Sequence, residues 1–318
     1  MKLRVAVIYG GRSGEHEISI RSANSIIAGL DPAKYEVVRY FIDKEGKWDP
    51  RPILPEPGSN PGIDVVFPVL HGTFGEDGTM QGLLELAGLP YVGPGVLGSS
   101  AAMDKDMMKR IFRDHGLPIV EYVLAGETPE FSYPMFVKPA NLGSSVGISK
   151  VKNPAELAAA IKDAEQYDSK VIVERGIIGR EFECAVLGNE RPEASIPCEI
   201  IPSREFYDYE DKYLLDKAQT RLPADLTPEQ TSEMRRIAVD AFKAICCEGM
   251  SRVDFLMESS TGLMYINEIN TIPGFTSISM YPKMWEYSGI PFGQLLDRLI
   301  QLAMDRHRLR QSKKYSRT

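Results

Sequence analysis

The residues best suited to chemistry in this sequence of 318 residues lie on two predicted strands towards its C-terminal end. Alternate residues of a strand share a face, so Glu268 and Asn270 point the same way. Asp254 lies on the preceding strand of a predicted hairpin and can sit beside them. Two carboxylates and an amide oxygen suit Mg²⁺, with phosphate oxygens completing its coordination. A solvated sheet face is the alternative, although clustered carboxylates inside a sheet are costly without a cation.

A glycine- and serine-rich loop supplies a possible phosphate site. The segment KPANLGSSVG begins at Lys138 and follows a predicted strand. Backbone N–H groups of such a loop can wrap phosphates, and Lys138 adds a matching charge. The sequence contains no G-x-x-x-x-G-K-[ST] pattern, which excludes a P-loop NTPase. An ordinary hairpin turn would have the same composition, so the loop alone does not decide the function.

Two more loops follow strands near the N-terminus. The first, GGRSG at residues 10–14, is not G-x-G-x-x-G, so a dinucleotide site is not expected. Glu15, which comes directly after it, is available for an ammonium group. The second loop begins at His71, and ligands of open parallel sheets bind beyond the strand carboxyl ends, where both loops would lie. A structural histidine with a satisfied ring is the alternative for His71.

The elements that position these residues alternate between strands and helices. This pattern predicts an α/β fold with a parallel sheet in its N-terminal part. Residues 98–115 are predicted to form one helix, and a final helix runs from about Phe292 to Met304. The tail Arg306–Thr318 is expected to be a frayed, solvated end. Pattern changes divide the chain into three domains, at residues 1–97, 98–180 and 181–318.

One segment of the third domain, at about residues 203–223, is polar, rich in tyrosine and without periodicity. A structureless loop of this length inside a compact domain is usually functional, often as a lid. We therefore expect it to close over a site.

Composition excludes several classes of protein. The 37 Lys and Arg against 44 Asp and Glu give a net charge of −7, whereas a nucleic-acid binder needs a basic face. No apolar run reaches the length of about 18 residues that a membrane span requires. The short apolar run at the N-terminus does not fit a secretory signal. The four cysteines have no metal-ligand spacing and fit a reducing cytoplasm, which is where we expect the protein.

Four separated motifs together resemble the D-alanine–D-alanine ligases of the ATP-grasp superfamily, over roughly residues 4–304. The motifs are Gly10-Gly11-x-Ser13-x-Glu15-x-Glu17-x-Ser19, His71-Gly72 with Gly75-Glu76-Asp77-Gly78, Lys138-Pro139 with Gly143-Ser144-Ser145-Val146-Gly147, and Asn267-Glu268-x-Asn270-Thr271-x-Pro273-Gly274-Phe275-Thr276. The resemblance implies an ATP-grasp fold of three α/β domains, with ATP between the central and C-terminal ones. It also implies cytoplasmic synthesis of peptidoglycan precursors, commonly by a homodimer.

The reaction implied by this resemblance is ATP-driven amide formation. One D-alanine carboxylate attacks the γ-phosphate, giving an acyl phosphate and ADP. The amine of a second D-alanine then attacks the acyl carbon, and phosphate leaves. Asp254, Glu268 and Asn270 would hold two Mg²⁺ or Mn²⁺ ions that neutralise the phosphates.

The resemblance also implies roles for other residues. Lys105 and Lys138 would contact phosphates, and the nucleoside would lie against Glu174, Ile177 and Glu181. Arg252 and the Gly274 N–H would stabilise the oxyanion at the acyl carbon. Glu15 would bind the first ammonium group and form a hydrogen-bonded chain with Ser144 and Tyr213. The second substrate would be held by Lys212, Ser279 and Met280, with His71 near by.

The acceptor and one packing detail depend on single residues. The pair Lys212-Tyr213 resembles the branch that joins two D-alanines, whereas users of D-serine or D-lactate alter this segment. Gly176 stands where many relatives carry a bulky residue beside adenine. A ligase for D-serine or D-lactate and a catalytically silent ATP-binding protein are the alternative functions.

Overall fold

The structure is a computed structural model that describes residues 2–144, 146–201 and 219–314. Within these ranges the strands form three sheets with helices packed beside them, which confirms the predicted α/β class. The first sheet has the order β3-β2-β1-β4, and β1 runs parallel to both β2 and β4. Its strands are β1 (Leu3–Gly10), β2 (Tyr35–Ile42), β3 (Trp48–Asp49) and β4 (Val65–Val69). The predicted parallel N-terminal sheet is therefore present.

The other two sheets are antiparallel. The second has the order β5-β8-β6-β7 and consists of β5 (Tyr122–Leu124), β6 (Met135–Pro139), β7 (Ser149–Val151) and β8 (Val171–Arg175). The third has the order β12-β11-β9-β13-β14, with β10 also pairing with β9. Its strands are β9 (Gly179–Gly188), β10 (Glu193–Ala194), β11 (Cys198–Ile201), β12 (Gln219–Arg221), β13 (Gly249–Glu258) and β14 (Met264–Asn270).

Three of the eight described helices begin at a capping side chain. The eight helices are α1 (His16–Gly29), α2 (Thr79–Leu86), α3 (Val96–Met103), α4 (Lys105–Asp114), α5 (Pro154–Ala164), α6 (Pro228–Ala244), α7 (Met280–Tyr287) and α8 (Phe292–Gln311). Asn153 caps α5, and Thr227 forms a capping box with Gln230 at α6, because these side chains satisfy otherwise unpaired N–H groups. The single helix predicted at 98–115 is wrong. Asp104 is extended and caps α4, which separates it from α3.

One hydrophobic core joins the two ends of the chain. Val5 and Phe67 of the first sheet pack in the same buried cluster as Leu295 and Leu299 of α8 and Leu187 of β9. The last helix therefore stabilises the first sheet. Among the described helices, none combines the length and apolar character needed to cross a membrane.

The C-terminal segment is more ordered than the sequence predicted. α8 continues to Gln311, and Arg306, which the sequence placed in a frayed tail, is only 5% exposed. Its guanidinium donates to the backbone carbonyls of Tyr91, at 2.8 Å, and Gly93, and lies 4.2 Å from the centroid of the Tyr91 ring. The planar guanidinium offers several donors at once, so one buried arginine satisfies two carbonyls.

Replacing Arg306 with leucine should lower the free energy of unfolding by about 2–4 kcal/mol, because buried carbonyls would lose charged donors. Urea unfolding measures the change. Arg308→Leu is the matched control, since the Arg308 side chain is 68% exposed on the same helix. Its effect should stay within about 0.5 kcal/mol. Similar losses in both variants would contradict the role assigned to Arg306.

Candidate active site

A cavity of about 600 Å³ collects side chains from the second and third sheets. Among its lining residues are eight that the sequence analysis had selected: Lys105, Lys138, Ser144, Glu174, Ile177, Glu181, Asp254 and Glu268. A larger cavity of about 890 Å³ lies elsewhere, beside Cys246, Glu248 and α8. It contains none of the selected residues that the structure describes, so the chemistry is concentrated in the smaller cavity.

The β13–β14 hairpin was predicted and is confirmed. Asp254 lies opposite Glu268, and Arg252 lies opposite Asn270. On its other side, β13 pairs with β9 so that Glu183 lies opposite Asp254. Glu183, Asp254 and Glu268 thus form a row across three strands. Sequence reasoning missed Glu183. It lies two residues after Glu181 on a predicted strand, so both side chains share one face, and this spacing could have shown that Glu183 also faces the site.

Arg252 offsets part of the negative charge of this row. Its Nε and Nη2 atoms lie 2.7 Å from the two carboxylate oxygens of Asp254, which is a bidentate arrangement. Its Nε atom is also 3.4 Å from Oε1 of Glu183. The Nδ2 atom of Asn270 donates to the same Asp254 at 2.9 Å. Asp254 therefore positions both Arg252 and Asn270.

Glu174 lies beneath the cavity in a cluster with two lysines. Lys138 Nζ is 3.1 Å from Glu174 Oε2, and Lys109 Nζ is 3.4 Å from Glu174 Oε1. Lys138 also donates to Asn267 Oδ1 at 3.2 Å. Burial by itself raises the pKa of Glu174, but the two ammonium groups outweigh this effect and hold the pKa below its ordinary value. Sequence reasoning missed Lys109, because Glu174 was expected to contact only the nucleotide.

Lys105 fixes the glycine- and serine-rich loop. It is the first residue of α4, and its Nζ donates to the Leu142 carbonyl at 2.6 Å and lies 3.9 Å from Glu268 Oε2. Ser144 has a φ of 53°, a left-handed conformation that is uncommon outside glycine and concentrated at functional sites. Lys105 thus connects the loop, through the Leu142 carbonyl, to Glu268 of the β13–β14 hairpin.

Glu15 meets this loop across a large sequence separation. The Ser144 hydroxyl donates to Glu15 Oε1 at 2.5 Å, although the residues are 129 positions apart. The structure therefore brings together two members of the predicted Glu15–Ser144–Tyr213 chain. Tyr213 and Lys212 lie outside the described residues.

His71 is held on both ring nitrogens. Its Nδ1 is 2.9 Å from the Ile272 carbonyl, and its Nε2 is 3.2 Å from the Ser22 hydroxyl. Because a carbonyl only accepts, Nδ1 carries the hydrogen and Nε2 accepts from Ser22. Burial lowers the pKa of His71, which favours this neutral form. The geometry fits the structural alternative for His71, as a ring that connects the loops after β4 and β14.

Glu76 reinforces the same connection. Its carboxylate accepts from the Gly72 N–H at 2.6 Å and from the Ile272 N–H at 3.0 Å. Burial, with the nearby charge of Glu15, raises the pKa of Glu76 to about 8. The sequence motif contained Glu76 without assigning it a role, and its position shows that it orders the turn at Ile272.

The remaining predicted residues follow β14. A Cβ atom at Gly274 would lie 2.7 Å from the Ser279 hydroxyl, so only glycine fits there without displacing Ser279. The Ser279 hydroxyl accepts from the Thr276 N–H at 3.0 Å, just before α7. The Met280 side chain is buried in the core, which leaves its backbone for any contact with a ligand.

Known proteins match this chain along nearly its whole length. Residues 4–57 and 54–94 match the family model described as D-ala D-ala ligase N-terminus, and residues 111–301 match D-ala D-ala ligase C-terminus. A D-alanine–D-alanine ligase of Solibacter usitatus (strain Ellin6076) is 68% identical, with 100% of both chains covered.

Two solved structures give the same result. The D-alanine–D-alanine ligase from Coxiella burnetii is 42% identical with a TM-score of 0.87, covering 98% of this chain and 96% of that one. The VanG D-Ala:D-Ser ligase from Enterococcus faecalis is 36% identical with a TM-score of 0.86, covering 95% and 100%. The predicted ATP-grasp fold is thereby confirmed. With both family models and full-length relatives in agreement, the chain belongs to the D-alanine–D-alanine ligase family.

Proposed function

We propose that this protein joins two D-alanine molecules to D-alanyl-D-alanine with ATP, for peptidoglycan precursors, through an acyl phosphate. The observation that carries the proposal is the meeting of opposite charges in one cavity. Lys105 and Lys138 line it together with Asp254 and Glu268. Lysines can bind phosphate oxygens, while carboxylates can hold the cations that accompany ATP. Membership of the family supports the same reaction.

We propose Asp254, Glu268 and Asn270 as the ligands of Mg²⁺ or Mn²⁺, two ions in all. Carboxylate and amide oxygens suit these cations, and the register places Asp254 beside Glu268. Because Asn270 donates its amide nitrogen to Asp254, its amide oxygen is the available ligand atom. Within the described ranges, no three His, Cys, Asp or Glu side chains form a metal site, so phosphate and water oxygens would complete the shell. Bound cations would neutralise charge on the phosphates.

The protein's own groups have separate tasks in this proposal. Glu15, held by Ser144, binds the ammonium group of the first D-alanine. Arg252 and the Gly274 N–H stabilise negative charge on the acyl carbonyl oxygen. Ser279 and the backbone of Met280 hold the second D-alanine at the start of α7, together with Lys212. Tyr213 closes the lid over the acyl phosphate and excludes water.

The nucleoside is proposed to lie against Glu174, Ile177 and Glu181, which all line the cavity. Glu174 would accept from the exocyclic amine of adenine, and Glu181 would bind the ribose. A Cβ atom at Gly176 would lie 2.5 Å from the Pro134 carbonyl oxygen, so this strand end approaches its neighbour too closely for a side chain. The side chain that packs against adenine would therefore be that of Ile177.

Domain limits, assembly and location are also proposals. The first sheet lies within residues 3–69, the second within 122–175 and the third within 179–270, which supports domains at 1–97, 98–180 and 181–318. Homodimer formation and a cytoplasmic location follow what the family implies. Analytical ultracentrifugation of the purified chain would test the assembly.

The test of the proposed function is ADP release and product analysis with purified protein. We expect release that requires both Mg²⁺ and D-alanine, with D-alanyl-D-alanine as the product. L-Alanine should fail, because fixing its ammonium and carboxylate groups leaves no room for the methyl group. Equal turnover with L-alanine would refute the proposal, and ATP binding without turnover would favour the catalytically silent alternative.

D-Serine is the acceptor that deserves comparison, since the structurally similar VanG protein is a D-Ala:D-Ser ligase. Lys212-Tyr213 supports D-alanine. A mixture of D-alanine with D-serine or D-lactate should give chiefly D-alanyl-D-alanine, as measured by mass spectrometry. If the main product instead contains D-serine or D-lactate, that compound is the preferred acceptor, and the alternative function is correct.

A further inference from the structure

A fully buried lysine lies under the proposed nucleotide site and has no part in the functions described so far. Lys109 is 0% exposed, and its partner Glu174 is 2% exposed. Lys109 follows Lys105 by four residues on α4, so the two ammonium groups project from the same side of that helix. Lys105 lines the cavity, whereas Lys109 lies deeper and meets Glu174 Oε1 at 3.4 Å.

Such burial is costly for both charges. An ammonium group and a carboxylate both lose their hydration on burial, and their mutual attraction has to compensate for that loss. Lys109 also lies 5.7 Å from the centroid of the Tyr122 ring, and Tyr122 pairs with Glu174 across β5 and β8. The Tyr122 ring and the Glu174 carboxylate thus lie beside the lysine, and the charges of Lys138 and Glu268 also act on it. The burial of Lys109 prevents direct contact with a ligand in the cavity, so any influence must pass through Glu174.

We propose that Lys109 is a positioning residue for base selection: it keeps the Glu174 carboxylate ionised and oriented, so that this carboxylate can accept a hydrogen bond from a 6-amino purine. The inference deepens the proposed function and rests on its ATP site. An ionised carboxylate can accept hydrogen bonds but cannot donate them. It can therefore bind the 6-amino group of adenine, which donates, whereas the 6-oxo group of guanine also accepts and would be repelled. A protonated carboxyl group can donate and would tolerate guanine.

Lys138 supplies only part of this effect. It lies 3.1 Å from the other Glu174 oxygen, but it also donates to Asn267 and is proposed to bind phosphate. Lys109 has no such competing task because it is enclosed. Both lysines therefore act on Glu174, and Lys109 is the one of the two that a ligand in the cavity does not reach.

The experiment compares ATP and GTP binding to the full chain by titration calorimetry, without D-alanine. Wild-type protein should prefer ATP. In Lys109→Met, ATP affinity should fall by about tenfold or more, as for loss of one partner of a buried ion pair, and the ATP-to-GTP preference should fall with it. Glu174→Gln should have a similar effect. The double variant should be no worse than either single one, because Lys109 acts through Glu174.

Met108→Ala is the matched control. Met108 is also 0% exposed on α4 but packs in an apolar cluster. Its loss should lower the melting temperature without changing the ATP-to-GTP ratio. If Lys109→Met does not fold, Lys109→Gln keeps a polar group and should show the same loss of preference.

An unchanged ATP-to-GTP ratio in a folded Lys109 variant would overturn the proposal and leave a purely structural lysine. Additive losses in the double variant would overturn it as well. The binding experiment contains no D-alanine, so it does not depend on dipeptide formation. If the wild-type chain binds ATP but forms no dipeptide, the proposed function is refuted, and the role of Lys109 in base selection can still be tested.

Discussion

Glu268→Gln should almost abolish formation of D-alanyl-D-alanine while the protein remains folded. Glu268 faces Asp254 across the hairpin and lies 3.9 Å from Lys105, so its charge serves the proposed cations and the lysine. Glutamine has nearly the same shape but no charge, so it would bind the proposed cations more weakly beside a triphosphate. A loss of about 4 kcal/mol of transition-state stabilisation corresponds to about a thousandfold lower kcat.

Turnover and thermal melting should be measured together over a range of Mg²⁺ concentrations. Glu36→Gln, at an exposed position of β2, makes the same chemical change away from the cavity and should leave turnover intact. Near wild-type activity of Glu268→Gln at moderate Mg²⁺ would remove the metal assignment. A large loss of melting temperature would point to a structural role.

Arg252→Lys should lower kcat by about 10²–10³-fold, the range for removing a donor to a developing oxyanion. Lysine keeps the positive charge but lacks the planar fork that spans both oxygens of Asp254 and approaches Glu183. The KM for ATP should change little, because the proposed role of Arg252 is at the acyl carbon.

Steady-state kinetics with D-alanine and ATP varied separately would measure the effect of Arg252→Lys on kcat and on the KM for ATP. Arg235→Lys provides the control, since Arg235 donates from α6 to the Ala194 backbone carbonyl. An Arg252→Lys enzyme with unchanged kcat and a raised KM for ATP would show instead that the arginine serves the nucleotide.

Local patterns were sufficient where a feature depends on neighbouring residues. The hairpin that contains Asp254 and Glu268 follows from alternation and a short turn, and the caps at Asn153 and Thr227 follow from side chains that bond adjacent N–H groups. The resemblance selected Glu15 and Ser144, which the structure places in contact. The roles of these residues remain predictions.

Features that depend on distant partners could not be predicted from the same patterns. From the sequence, Arg306 is interpreted as one charge in a basic tail, because its two carbonyl partners lie more than 200 positions away. Lys109 reads as part of a polar helix surface until β8 brings Glu174 against it. Asp104 reads as an interior helix residue, although a short polar side chain can also begin a new helix.

The shared core has a consequence for synthesis of the protein on the ribosome. The apolar face formed by Val5 and Phe67 is completed by Leu295 and Leu299, which are translated almost 300 residues after the first strand. At about 5–20 residues per second, the part of that face that α1 does not cover waits for roughly 15–60 s before α8 emerges. During this interval the nascent chain exposes apolar surface that its folded form buries, and such surface favours aggregation. Truncation before α8 would make that exposure permanent.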